Sequence, residues 1–173
     1  MKLDVSAFAF VALVATATQS LAEQPNLQTP SPVIYLADNL DEVDRLGWCI
    51  DTLGRGFAER LQAHSCKPQG GDVQFSMNAQ TGQIQSVEYP EYCMAHRPSD
   101  ESTFALVTCD TTATDQQFVY DPEERTIRTI ADETTCVSVG ENSRSAGPFM
   151  SRTLLLTDCA TTNGAFKEWV ALQ

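Results

Sequence analysis

Positive charge is what this sequence has least of. Its 173 residues carry 11 Lys and Arg against 23 Asp and Glu, a formal net charge of −12. An acidic surface repels phosphate backbones, which argues against a nucleic-acid partner. Only two histidines occur, and there is no C-x-x-C pair, so a zinc-type centre lacks ligands. The densest acidic run is Asp38, Asp41, Glu42 and Asp44. It does not have the spacing of a calcium loop and reads as a solvated turn. Neither G-x-S-x-G nor H-E-x-x-H is present, so no catalytic residue is expected.

Long apolar runs are missing too, apart from residues 7–15 near the start. That run falls well short of the ~20 residues needed to cross a bilayer. Lys2 precedes it, and Ser20-Leu21-Ala22 supplies small residues for cleavage. Residues 1–22 therefore read as a secretory signal peptide cut after Ala22, which predicts a secreted or periplasmic protein without a membrane span. No cysteine follows Ala22 to carry a lipid. Residues 23–32, EQPNLQTPSP, hold three prolines and little to bury, and predict a flexible leader. Residues 33–173 are left as one ordinary domain.

What the chain does have is six cysteines, all beyond the signal segment. An even count in an exported chain favours disulfides, although count alone allows fifteen pairings. Spacing narrows the choice. Cys49, Cys93 and Cys136 recur at steps of 44 and 43, and Cys66, Cys109 and Cys159 at steps of 43 and 50. Phe75 and Phe118 follow the second cysteine of their copies by nine residues, and Trp169 follows by ten. Leu40, Ile84 and Ile127 each precede a first cysteine by nine. Four landmarks in one order, three times over, make an internal repeat. A repeat with two cysteines most simply pairs them within itself, as Cys49–Cys66, Cys93–Cys109 and Cys136–Cys159. The third loop is longer, and its extra residues lie in GENSRSAGPFM, which reads as a surface insertion.

Within each repeat the pattern is β. Runs such as QFSM, FALVTC, FVYD, RTIRTI, CVSV and RTLLLT are rich in β-branched or aromatic residues, and QTGQ, RPSD, DPEE and TTNG separate them. Residues 57–63 look helical in isolation, but their counterparts read as strand, and the repeat takes precedence. Short, evenly spaced strands imply an all-β sandwich or barrel; three blades are too few to close a propeller.

The stretch Trp48-Cys49-Ile50-Asp51, then LQAHSC at residues 61–66, then an aromatic nine residues on, resembles a ricin B-type lectin repeat. The resemblance covers residues 33–173 and implies a β-trefoil of three ~43-residue repeats. It also implies a carbohydrate-binding module, galactose-like in preference, that needs no cofactor. Its site residues fall on Asp51, at the carboxylate position, and on Gln62 and His64, on the face of the strand opposite Leu61 and Ala63. Asp72 stands where the family usually has asparagine, and Val73 where it has glutamine. His64 replaces the family's stacking aromatic. The second repeat has Ala95, Ala105 and Val107 at these positions, and the third has Ser138, Leu155 and Thr157. Neither copy is expected to bind sugar in the family's manner. Phe75, Phe118 and Trp169 are expected in the core, with Trp48 packing beside them. A second role follows from the same resemblance: companion subunits of cytolethal distending toxins are ricin-like and dock a catalytic protein partner.

Overall fold

All but one of the strands among the described residues are five residues or shorter, because turn formers interrupt the β-branched runs every few residues. A computed structural model of the chain describes residues 23–54, 56–68, 70–99 and 102–173. The signal segment expected over residues 1–22 lies outside the described residues. The first repeat supplies β1 (Val33–Leu36), β2 (Trp48–Thr52), β3 (Leu61–Ser65) and β4 (Phe75–Met77). The second supplies β5 (Ile84–Ser86), β6 (Tyr92–His96), β7 (Phe104–Thr108) and β8 (Phe118–Asp121). The third supplies β9 (Thr126–Thr129), β10 (Asp132–Val139), β13 (Leu154–Asp158) and β14 (Trp169–Leu172). It also carries an extra hairpin, β11 (Arg144–Ala146) and β12 (Phe149–Arg152). The described residues contain no α-helix, and no helix among them is long and apolar enough to cross a membrane.

The repeats join in the same way each time. The last strand of one pairs antiparallel with the first strand of the next: β4 with β5, β8 with β9, and β14 with β1. The last pairing runs from Val33↔Leu172 to Leu36↔Trp169 and closes the ring, so the β-trefoil leaves no open seam between its two ends. Each repeat also folds its middle strands into a hairpin: β2 on β3, β6 on β7, β10 on β13. A single 3₁₀ turn precedes each repeat's final strand, at Gly71–Val73, Thr114–Gln116 and Gly164–Phe166. That turn delivers Phe75, Phe118 and Trp169 to the axis, where all three are buried with Trp48, Phe104 and Met94. Fully burying one such side chain stabilises by roughly 2–3 kcal/mol. The two indoles also pair their N–H groups, Trp48 with the Asn39 carbonyl at 3.0 Å and Trp169 with that of Val137 at 2.8 Å.

Three disulfides staple the repeats: Cys49–Cys66, Cys93–Cys109 and Cys136–Cys159. These are the within-repeat bridges that the spacing implies.

Two expectations need correcting. Residues 23–32 are not a free leader. The Asn26 amide donates to the Arg45 carbonyl at 2.7 Å, and the Thr29 hydroxyl donates to the Lys67 carbonyl at 2.8 Å. Leu27 packs on the small cluster of Val33, Cys49, Cys66 and Val73. The segment fits because Gly47 has no side chain. A Cβ there would come within 2.4 Å of Pro25, and the backbone φ of +75° already favours glycine. The insertion is likewise more than a surface loop. Its strand β12 pairs antiparallel with β3, Ser151 opposite His64 and Arg152 opposite Ala63. The third repeat thus extends an arm across the first.

Candidate functional site

β2 and β3 bring the predicted residues together. Their register sets Asp51 opposite Gln62 and Cys49 opposite His64, so the carboxylate, the amide and the imidazole converge near the Cys49–Cys66 bridge. Asp72 comes from the 3₁₀ turn that follows. Alternation along β3 holds as expected. Leu61 and Ala63 join the core cluster, and Gln62 and His64 do not.

The outer face is nevertheless not open. Asp51 is 0% exposed, and Gln62 and His64 are each 5% exposed. The arm covers Gln62 and His64. Arg144 donates through Nη2 to Gln62 Oε1 at 3.2 Å, and the Phe149 ring lies edge-on to His64 with centroids 5.7 Å apart. The Met150 amide donates to the Ser65 hydroxyl at 3.0 Å, which in turn donates to Asp44. Arg152 secures the base of the arm. Its guanidinium stacks 4.6 Å over Trp48 and donates to the Gly140 and Glu141 carbonyls at 3.0 and 2.6 Å. Asp44 and Glu42 (3.8 Å from Arg152) therefore belong to this latch and not only to a solvated turn.

Lys67 was missed by sequence reasoning. It follows Cys66, where the other repeats have Asp110 and Ala160. A cation next to the cysteine in the one repeat that keeps its carboxylate was the available signal. Lys67 Nζ lies 3.2 Å from Asp72 Oδ2 and 3.8 Å from Asp51 Oδ2. Arg144 and Phe149 were missed as well, and nothing local could reveal them, because they reach the site from the third repeat.

Electrostatically the site is under-paired. Both oxygens of Asp51 and Oδ1 of Asp72 are buried without a hydrogen-bond donor among the described residues. Burial pushes the Asp51 carboxyl up to about 7. Lys67 pulls it back, Asp72 raises it further, and the neighbouring Thr52 amide and Gln62 side chain lower it. Burial holds the His64 imidazole below its ordinary value, so it is neutral, with Nδ1 donating to the Ser65 carbonyl at 3.0 Å. Gln62 donates to the Thr52 carbonyl at 3.2 Å.

The equivalent places elsewhere are plainer. Ala95 is buried in the second repeat, and Asp115 there is paired with Arg97 at 2.6 Å. Gln116 is spent on the Asp110 amide and the Thr108 carbonyl. In the third repeat the Thr157 hydroxyl donates to that of Ser138 at 2.9 Å. No cluster of described residues has the make-up of a metal site.

Comparison with known proteins agrees with this architecture. The profile of the ricin-type beta-trefoil lectin domain matches residues 40–168. A non-toxic homologue of type II RIPs from Momordica charantia (bitter gourd), solved with α-methyl-D-galactoside, superposes with a TM-score of 0.57 at 13% identity. The superposition covers 82% of this chain and 47% of that one, so the chain spans about half the length of that relative. The earthworm lectin C-terminal domain, solved as a mutant with 6'-sialyllactose, gives 0.57 at 12% identity over 80% of this chain and 96% of that one. The Haemophilus ducreyi cytolethal distending toxin gives 0.56 at 12% identity over 93% of each. At such identities the likeness is one of fold. No curated protein matches the chain.

Proposed function

The chain belongs to the ricin-type beta-trefoil lectin domain family, and from that membership we propose that it is an exported carbohydrate-binding module holding a galactose-like sugar weakly at its first repeat. The observation that carries this reading is the set of three buried carboxylate oxygens, two on Asp51 and one on Asp72, that have no hydrogen-bond donor among the described residues. Buried acceptors without donors cost about 1–3 kcal/mol each. Two adjacent sugar hydroxyls are donors of the right kind, and Gln62 supplies an amide beside them. Binding is weak because Lys67 and the arm from the third repeat occupy the approach. Signal cleavage after Ala22 would place the module in the periplasm or outside the cell, where its three disulfides persist. A glycan array of wild type and Asp51→Asn tests the reading. Binding of galactosides by the wild type and its loss in the variant are expected. Equal binding by both would remove the first repeat from consideration.

A second reading is a protein-interaction trefoil, such as a toxin-companion subunit, with little or no sugar binding. It is favoured by the complete burial of Asp51 and by the absence of a carboxylate at the equivalent places, Ala95 and Ser138. The fold likeness to the Haemophilus toxin over 93% of both chains fits it too. A stable complex with the product of a neighbouring toxin-subunit reading frame, together with a blank array, would establish it over the first.

A further inference from the structure

The hairpin β11–β12 is an addition that the threefold fold does not need. The disulfides of the first two repeats span 17 and 16 residues and that of the third spans 23, the excess lying in the arm. On the second repeat the corresponding cover is the β2–β3 loop, which is shorter. It meets β7 at the Arg60–Ala105 bridge and through the Leu106 amide, which donates to the Glu59 carbonyl at 2.6 Å. A cleft of about 960 Å³ stays open beside β7, and the repeat folds all the same.

The arm is fixed at its base and free at its tip. At the base the Gly140 amide donates to the Thr153 carbonyl at 2.9 Å, and Arg152 ties the Gly140 and Glu141 carbonyls to Trp48. At the tip Arg144, Ser145, Gly147 and Pro148 are exposed, and a Cβ placed on Gly147 would meet no atom within 4 Å. Between the two, β12 is in register with β3 at Ser151↔His64 and Arg152↔Ala63 alone. Its grip on the first repeat is the Arg144–Gln62 hydrogen bond, the Phe149 edge on His64 and the Met150 amide on the Ser65 hydroxyl. Half-buried Met150 is its apolar anchor on the core. Segments with few apolar contacts and solvent-facing hydrogen bonds are the ones that open locally.

What the arm closes over is polar. A cover serving stability alone would meet apolar residues. This one meets an amide, an imidazole and a hydroxyl, each able to bond a ligand instead. Arg144 is the donor to Gln62 Oε1, so that acceptor is released when the arm leaves.

We propose that the hairpin β11–β12 is a lid, which pivots at its base, closes Gln62 and His64 in the resting chain, and must swing off β3 before a ligand reaches the first repeat. The pinned base keeps the lid attached while it opens, and the free tip gives it room. The ligand's part in this rests on the sugar reading of the first repeat. The opening does not, so the two are tested apart.

The opening is tested without ligand on the mature chain. In hydrogen exchange, amides of residues 145–151 should be protected about a hundredfold less than those of residues 137–139 in β10. Equal protection would mean that the arm leaves only when the whole domain unfolds, which overturns the proposal. Diethyl pyrocarbonate at about pH 7 reads access to His64, with His96 as reference in the same molecule. Arg144→Ala and Phe149→Ala should each speed His64 modification severalfold and leave His96 unchanged. A His64 rate unmoved by both substitutions equally refutes the lid. Its effect on binding is read by NMR titration with lactose. Arg144→Ala should bind severalfold more tightly than wild type. Equal affinity in a variant whose His64 has become reactive would show that the arm does not gate the site, and the proposal fails. Absence of lactose binding by either chain sinks the sugar reading alone, and exchange with His64 reactivity then decides the lid.

Discussion

Lys67 reaches Asp72 at 3.2 Å but stops 3.8 Å short of Asp51. The cation is thus shared unequally, and the more deeply buried carboxylate has the longer ion pair and no hydrogen-bond donor among the described residues. Burial is the main reason that Asp51 holds a negative charge poorly, Lys67 only partly offsets it, and its proton is linked to folding.

The pH dependence has a definite sign. Asp51 rises from 3.8 to about 7 on folding, so the folded chain binds this proton more tightly than the unfolded one. Its contribution to stability is complete below about pH 4 and is lost as pH rises through about 7, a difference on the order of 4 kcal/mol. His64, held low, acts oppositely: its contribution is present above its ordinary value of 6.5 and is lost as pH falls. The difference between wild type and Asp51→Asn isolates the carboxylate. Urea unfolding at pH 5 to 8 should show the variant gaining on wild type as pH rises. A constant difference would mean that Asp51 titrates normally.

Opening the arm should release His64. Phe149→Ala removes the ring beside the imidazole and admits water, which weakens the desolvation that holds its pKa down. An NMR titration should find the His64 pKa higher in the variant than in wild type. An unchanged value would mean that the ring contributes nothing to the closure.

Arg152→Ala should be among the more costly single changes outside the core. The side chain is 5% exposed, stacks on Trp48 and satisfies two backbone carbonyls. Leaving those acceptors buried and unpaired costs about 2–4 kcal/mol together with the lost stacking. Denaturant unfolding measures it. A loss below about 1 kcal/mol would show that water replaces the guanidinium freely.

Each disulfide closes a loop of 16 to 23 residues. The chain-entropy relation assigns about 3 kcal/mol to each. Replacing Cys93 and Cys109 together by alanine should lower stability by that order, and peptide mapping without reductant should recover only the three within-repeat pairs. A crossed pair would contradict the threefold topology.

Much of the fold was legible because each repeat must solve one packing problem three times. A cysteine pair, a turn and an aromatic recur since each copy fills a third of one core. Phe75, Phe118 and Trp169 occupy equivalent places for that reason. That the candidate residues on β2 and β3 would lie side by side was legible, since the two strands are neighbours in sequence and their register follows from a short connection. Their burial was not. The arm that covers Gln62 and His64 lies more than 80 residues away, and its strand chemistry, RSAGPFM, says nothing of which edge it will join. The leader was misjudged on similar grounds. Its prolines describe a stiff, unpaired chain, but the groove that Gly47 leaves for Pro25 comes from another segment.

The sequence by itself determined the all-β class, the threefold repeat, the three bridges and the one copy that keeps a carboxylate beside an amide and an imidazole. These depend on local period and on chemistry repeated along the chain. Only the tertiary structure decided that this copy is closed and that the second repeat is open. Closure is set by which distant strand pairs with the edge of β3, and that pairing depends on Arg152, Trp48 and Ser65 meeting in space. No spacing along the chain encodes such a meeting.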